Sequence, residues 1–239
     1  MYFDRKWYLN QLIAKKNNAL IKVITGARRS GKSYLMNQIF YGSLLKDGVK
    51  EKNIIRFAFD NDEHLDLLDS FYPEEKTKIS VGKDAYVVNS KKFRAYIKSV
   101  TNDTEKFYLL LDEIQLLESF VGTLNGLLSH ANFDVYVTGS NSQLLSSEIE
   151  TKFRGRKSSI HLLPLSFSEF VSGSQLSPDL AWKKYIVTGG IPIVYQQKEE
   201  DRESYLMDLC QETYLKDIIG RKHVKDGDTL SDLFGVLAS

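Results

Sequence analysis

Residues 20–25 read LIKVIT, an apolar run of strand character, and GARRSGKS follows at once over residues 26–33. Leu35, Met36, Ile39 and Phe40 then recur at helical spacing. Few folds accept a strand that becomes a helix through a loop of two glycines, two arginines and a lysine. Glycine lets the backbone take left-handed dihedrals and approach a ligand closely. Successive amide hydrogens can then form a concave nest at the positive end of the following helix. The pattern is G-x-x-x-x-G-K-[ST], a loop shaped for the phosphates of a nucleotide. It makes Gly26, Ala27, Arg28, Arg29, Ser30, Gly31, Lys32, Ser33 and Tyr34 the candidate nucleotide-binding residues. Lys32 can reach the β- and γ-phosphates, and the Ser33 hydroxyl can ligate the accompanying Mg²⁺. Arg28 and Arg29 can stiffen the loop, contact phosphate or a partner, or face solvent.

Further apolar runs follow at residues 53–59 (NIIRFAF), 107–113 (FYLLLDE), 133–140 (FDVYVTGS) and 158–165 (SSIHLLPL). Helical patterns stand at 4–16, from Gly31 to the Asp47-Gly48 turn, and at 91–100. Near-continuous apolar strands separated by helices predict an α/β fold, with a parallel sheet of about five strands covered on both faces. Beyond residue 172 the pattern is helical, at Leu180 to Val187, Tyr205 to Ile219 and Leu230 to Leu237. A phosphate-loop domain over 1–172 and a helical segment over 173–239 are expected. The chain stops at LFGVLAS, inside an apolar helical pattern, so a C-terminal domain is expected to continue it.

Bulk properties narrow the classes. A net charge of +1 gives no global field for nucleic acid or an anionic membrane. Charge is uneven, with eight Lys or Arg in residues 1–32 and seven Asp or Glu in residues 60–75. Cys210 is the single cysteine, which excludes a disulfide within the chain. No apolar run approaches the roughly 18–20 residues of a membrane span, and the N-terminus lacks a signal-peptide pattern. A cytoplasmic protein with no membrane partner is expected. His64, His130, His161 and His223 show no ligand spacing with one another or with Cys210. Phe167 and Phe170 fit a helix packing face better than a base-stacking platform.

The run FYLLLDE drives a strand through the core and delivers Asp112 and Glu113 at its end. In an open parallel sheet, ligands bind at that carboxyl edge. Asp112 is the candidate second Mg²⁺ residue, with Ser33, and Glu113 the candidate base for an attacking water. An acid directly after the metal-binding aspartate resembles the additional-strand, catalytic-glutamate NTPases. In that architecture the VTGSN strand lies between the other two, and Ser140 and Asn141 are both candidates to sense the γ-phosphate. The N-K-x-D guanine-reading motif is absent, which favours ATP over GTP. Arg154 and Arg156, in FRGR before the fifth strand, are candidates to stabilise transition-state charge on their own nucleotide or a neighbour's.

ITGARRSGKS, LLLDEIQ, VTGSN, FRGRKSSIHLLPLSFSEF and GGIP stand in that order. Together they resemble the bacterial and archaeal AAA-type ATPases in which an N-terminal ATPase domain precedes a C-terminal domain of unknown function, relatives of the archaeal ATPase and STAND groups. The resemblance implies that Gly26 to Ser33 are Walker A, Asp112 and Glu113 Walker B, and Arg156 the arginine of the GR element. It implies an ATPase using ATP and Mg²⁺, with Lys32 and Glu113 in catalysis. It leaves open a protein or nucleic-acid partner, read through a C-terminal domain, and oligomerisation. Two other readings stay open: a nucleotide-switched signalling module with slow turnover, and a nucleic-acid-stimulated motor.

Overall fold

The structure, a computed structural model, describes residues 3–82, 85–139, 153, 155–210 and 236. The chain divides into two compact units, Asp4–Leu163 and Met1–Phe3 with Pro164–Ser239.

The larger unit begins with α1 (Lys6–Ala14) and β1 (Ile21–Gly26). After the loop comes a helix in three pieces: α2 (Lys32–Tyr34), a π-helical stretch (Leu35–Phe40) and α3 (Tyr41–Lys46). Next are β2 (Ile54–Ala58), α4 (Asp62–Asp66), and a short hairpin of β3 (Lys78–Ser80) and β4 (Tyr86–Val88). Then follow α5 (Ser90–Val100), β5 (Phe107–Asp112), a 3₁₀ turn (Ile114–Leu116), α6 (Phe120–Leu128), β6 (Phe133–Thr138) and β7 (Lys157–Leu162).

Five strands make one parallel sheet in the order β2-β5-β6-β1-β7. This is the expected additional-strand arrangement, with β6 between the phosphate-loop strand and the acidic-pair strand. The apolar runs are continuous because both sheet faces are covered. Ile21, Val23, Phe57, Leu109, Leu111, Val135 and Val137 share one core with Leu65 on α4, Phe93 and Ile97 on α5, and Leu124 and Leu127 on α6. Their neighbours in sequence, Ile24, Tyr108, Leu110 and Tyr136, share a second core with Leu12, Leu35, Met36, Ile39 and Phe40. Alternate residues of each strand thus serve opposite layers.

Three features have no counterpart in the apolar pattern. The hairpin is too short and too polar to show a strand period. The helix α6, FVGTLNGLL, carries two glycines inside it, which hides its character. Lys22, in the middle of LIKVIT, is fully buried; its ammonium bonds the Asp134 carboxylate and, at 2.8 Å, the Leu20 carbonyl. Asp134 also accepts from the Tyr136 hydroxyl at 3.0 Å and the Asn17 amide at 3.0 Å. Burial lowers the Lys22 pKa, against the opposing pull of Asp134.

In the smaller unit, α7 (Phe167–Ser174), α8 (Pro178–Thr188) and α9 (Arg202–Asp208) follow one another. α7 opens on a capping box in which Ser166 and Glu169 satisfy each other's backbone amides. Leu165, Phe170, Ala181 and Tyr195 form its core, with Phe3, Phe167 and Tyr185 packed against them. Phe170 is fully buried, the packing role expected for it. The expected division after residue 172 falls inside α7. Packing divides the chain after Leu163 instead, because Leu165 and Phe170 belong to the helical core. Among the described residues, no helix is long and apolar enough to cross a membrane.

Candidate functional site

Because all five strands run parallel, Gly26, Ala58, Asp112, Thr138 and Leu162 end at one edge of the sheet. The phosphate loop leaves that edge from a central strand, as ligand loops of open α/β sheets do. Gly26 has φ of 152°, and a Cβ there would lie 2.2 Å from the Leu162 carbonyl oxygen on β7. Gly31, with φ of 96°, turns the chain into α2. Arg29 takes a left-handed φ of 61° without being glycine. Arg28 and Arg29 are exposed, and so is Tyr34, whereas Ser30 is buried.

The Lys32 side chain is buried and returns over its own loop, donating to the Gly26 carbonyl at 3.2 Å and the Ala27 carbonyl at 3.0 Å. Burial lowers its pKa, while the carboxylates of Glu113 and Asp112 pull it back up. Lysine and acidic pair therefore share one electrostatic neighbourhood, from residues 80 positions apart in the chain.

Asp112 is 6% exposed. One carboxylate oxygen accepts from the Thr138 hydroxyl, and the other from Asn37 Nδ2 at 3.2 Å. The Ser33 hydroxyl donates to it as well. Burial pushes the Asp112 carboxyl above the usual carboxylate range, opposed by the Thr138 and Ser33 bonds. Glu113 follows at φ 53°, ψ 48°, a left-handed conformation costly for a side chain with a Cβ. Its amide donates to Thr138 Oγ1 at 3.2 Å, and its carboxylate accepts from Gln115 Nε2. Burial raises the Glu113 pKa also, and the Gln115 bond lowers it.

Ser33, Asp112, Lys32 and Glu113 thus come together. Thr138 ties the two acids to each other: fully buried at the end of β6, it donates to Asp112 and accepts from Glu113. Sequence reasoning passed over it for the next polar residues. The register that marks it belongs to the folded sheet: β6 lies beside β5 and Leu111 pairs with Val137, which sets Thr138 level with Asp112. Asn37 was also missed, because a polar residue on an amphipathic helix reads as solvated. Asp60, at the tip of β2, adds negative charge that both acids feel.

Ser140, Asn141 and Arg154 lie outside the described residues. Arg156 is described, and the structure does not bring it to this site. Lys157 pairs with Ile21, and the Arg156 carbonyl accepts from the Ile21 amide at 2.9 Å. Arg156 is therefore at the amino edge of the sheet, exposed, with the whole of β1 between it and the loop. Six strand residues span about 20 Å. An action of Arg156 on the nucleotide of its own chain is excluded by that separation.

The residues fit a nucleotide and a magnesium ion. Ser30 Oγ in the loop and Asn37 Oδ1 beside Asp112 are buried without a hydrogen-bond partner among the described residues. A phosphate oxygen suits the first and a metal-bound water the second. No group of three or more His, Cys, Asp or Glu gathers around a metal position among the described residues. Mg²⁺ takes one or two protein oxygens and completes its shell from phosphates and water.

Residues 18–171 match an AAA domain family, AAA_14. An uncharacterized protein of Haemophilus influenzae is 33% identical over 241 residues, which cover 98% of this chain and 55% of that protein. An uncharacterized protein of Methanocaldococcus jannaschii is 26% identical over 237 residues, covering 91% of this chain and 46% of that one. The chain thus spans about half the length of these curated relatives. Among solved structures, Cdc6p from Pyrobaculum aerophilum aligns with 75% of this chain and 49% of its own, at 15% identity and a TM-score of 0.46.

Proposed function

Since the chain belongs to the AAA domain family, we propose that it is a magnesium-dependent ATPase that cleaves the β–γ phosphoanhydride of ATP. The observation that carries this reading is the meeting of three strand ends: the phosphate loop after β1, the acidic pair after β5, and Thr138 closing β6 onto both acids.

The loop amides from Gly26 to Ser33 and the Lys32 ammonium bind the phosphates. Ser33 and Asp112 would hold Mg²⁺, which when bound neutralises phosphate charge. Its positive charge would also offset the burial that raises the Asp112 pKa. Glu113 accepts the proton of the attacking water as its oxygen bonds to the γ-phosphorus and the bridging oxygen leaves with ADP. Cleavage alters the charge against Lys32 and Asp112, which is the route by which turnover is coupled to conformational change. Arg156 lies at the sheet edge opposite its own loop, so its proposed action is on the nucleotide of a second copy of the chain. Protein or nucleic-acid partners belong to the same proposal as an open class.

The test compares ATP binding with phosphate release in two variants. Lys32→Ala is expected to lose ATP affinity. Glu113→Gln is expected to keep it, while turnover falls by about 10²–10⁴-fold. A Glu113→Gln protein hydrolysing at the wild-type rate would remove the catalytic assignment.

A further inference from the structure

Glu113 has a fixed backbone and a side chain with three rotatable bonds. The backbone is held by the left-handed dihedrals and the amide bond to Thr138. Neither restrains the carboxylate. A base that must meet one water molecule in line with a phosphorus atom gains much of its rate from being held in that geometry.

Among the described residues, one protein hydrogen bond reaches the Glu113 carboxylate, from Gln115 Nε2 onto Oε2. Gln115 stands on the 3₁₀ turn Ile114–Leu116, and that turn is well anchored. Ile114 is fully buried beneath it, and Leu117 just after it is 1% exposed. Leu117 bridges to Val88 at the end of the β3–β4 hairpin, and the Glu118 amide donates to the Val88 carbonyl at 2.9 Å. The other amide atom of Gln115, Oε1, is buried with no partner among the described residues. The side chain therefore makes no second hydrogen bond there that would explain its orientation structurally.

We propose that Gln115 is a positioning residue for hydrolysis: its amide grips one oxygen of Glu113 and leaves the other to face the attacking water. Gln115 touches neither water nor phosphate and works entirely through Glu113. The inference rests on the ATPase reading above and assigns to it a residue outside the two Walker motifs. The hairpin acquires a role with it, since its bond to Glu118 steadies the turn that carries Gln115.

The experiment measures single-turnover hydrolysis of Mg·ATP and equilibrium ATP affinity in five proteins: wild type, Gln115→Ala, Gln115→Met, Glu113→Gln, and Glu113→Gln with Gln115→Ala. The methionine variant keeps the length and bulk of the side chain without its donor, so it separates the hydrogen bond from packing. Both single changes at Gln115 are expected to slow hydrolysis by about 10- to 100-fold with ATP affinity unchanged. In the Glu113→Gln background the alanine change is expected to cost nothing further, because the group it positions is already disabled. Wild-type rates in Gln115→Met, or an equal loss on both backgrounds, would overturn the inference. Glu113→Gln at the wild-type rate would instead sink the ATPase reading itself.

Discussion

Thr138 does with one hydroxyl what the candidate site most needs: it sets the spacing of two neighbouring acids. It spends its proton on Asp112 and its lone pair on the Glu113 amide. Thr138→Val keeps the shape and removes both bonds, leaving a buried carboxylate and a buried amide short of a partner. The expected cost is about 1–3 kcal/mol of stability, read from urea denaturation. Hydrolysis is expected to fall more than ATP affinity, since the loop is untouched. Legibility in the sequence divides along the same line. The loop and the acid pair announce themselves because backbone nests and metal sites demand fixed residue types at fixed spacing. Thr138, Asn37 and Gln115 gain their importance from what the fold sets beside them, and no spacing along the chain records that. Arg156 stood open between its own site and a neighbour's, and the parallel pairing of β7 with β1 puts it at the amino edge of the sheet, away from its own loop.

At the scale of elements, β1 and β7 explain a glycine that phosphate binding alone does not. Gly26 opens the loop, yet the space its side chain would fill is taken by the Leu162 carbonyl of the neighbouring strand. Gly26→Ala is therefore expected to destabilise the protein without any nucleotide present, by about 1–3 kcal/mol, seen as a lower melting temperature. An unchanged melt with weakened ATP binding would return this glycine to a role in ligand approach. The inner strands β1, β5 and β6 were legible because they are buried on both faces, so their runs are nearly all apolar. The β3–β4 hairpin and α6 were not, since one is three residues a side and the other is interrupted by Gly122 and Gly126. These quieter elements flank the 3₁₀ turn behind Glu113, and so shape the site without entering it.

Across the whole larger unit, the two edges of the sheet are chemically unlike. The carboxyl edge gathers the candidate nucleotide residues; the amino edge buries the Lys22–Asp134 pair in a lattice of bonds from Leu20, Asn17 and Tyr136. Removing one partner strands the other charge. Lys22→Met alone is expected to cost about 3–5 kcal/mol, and pairing it with Asp134→Asn is expected to recover part of that loss. Chemical denaturation of the two variants checks it; equal losses would mean the ion pair is not what holds this edge. A periodicity argument sees Lys22 as a flaw in a strand, because pairing across to β6 is a property of the assembled sheet.

The strand order also has a history in time. β1 is hydrogen-bonded on one side to β6 and on the other to β7, both made long after it. During synthesis, residues 21–26 must wait for residues 157–162 to leave the ribosome before their second flank is covered. A nascent chain cut short of β7 would carry every residue of its nucleotide loop and still lack the neighbour against which Gly26 is fitted.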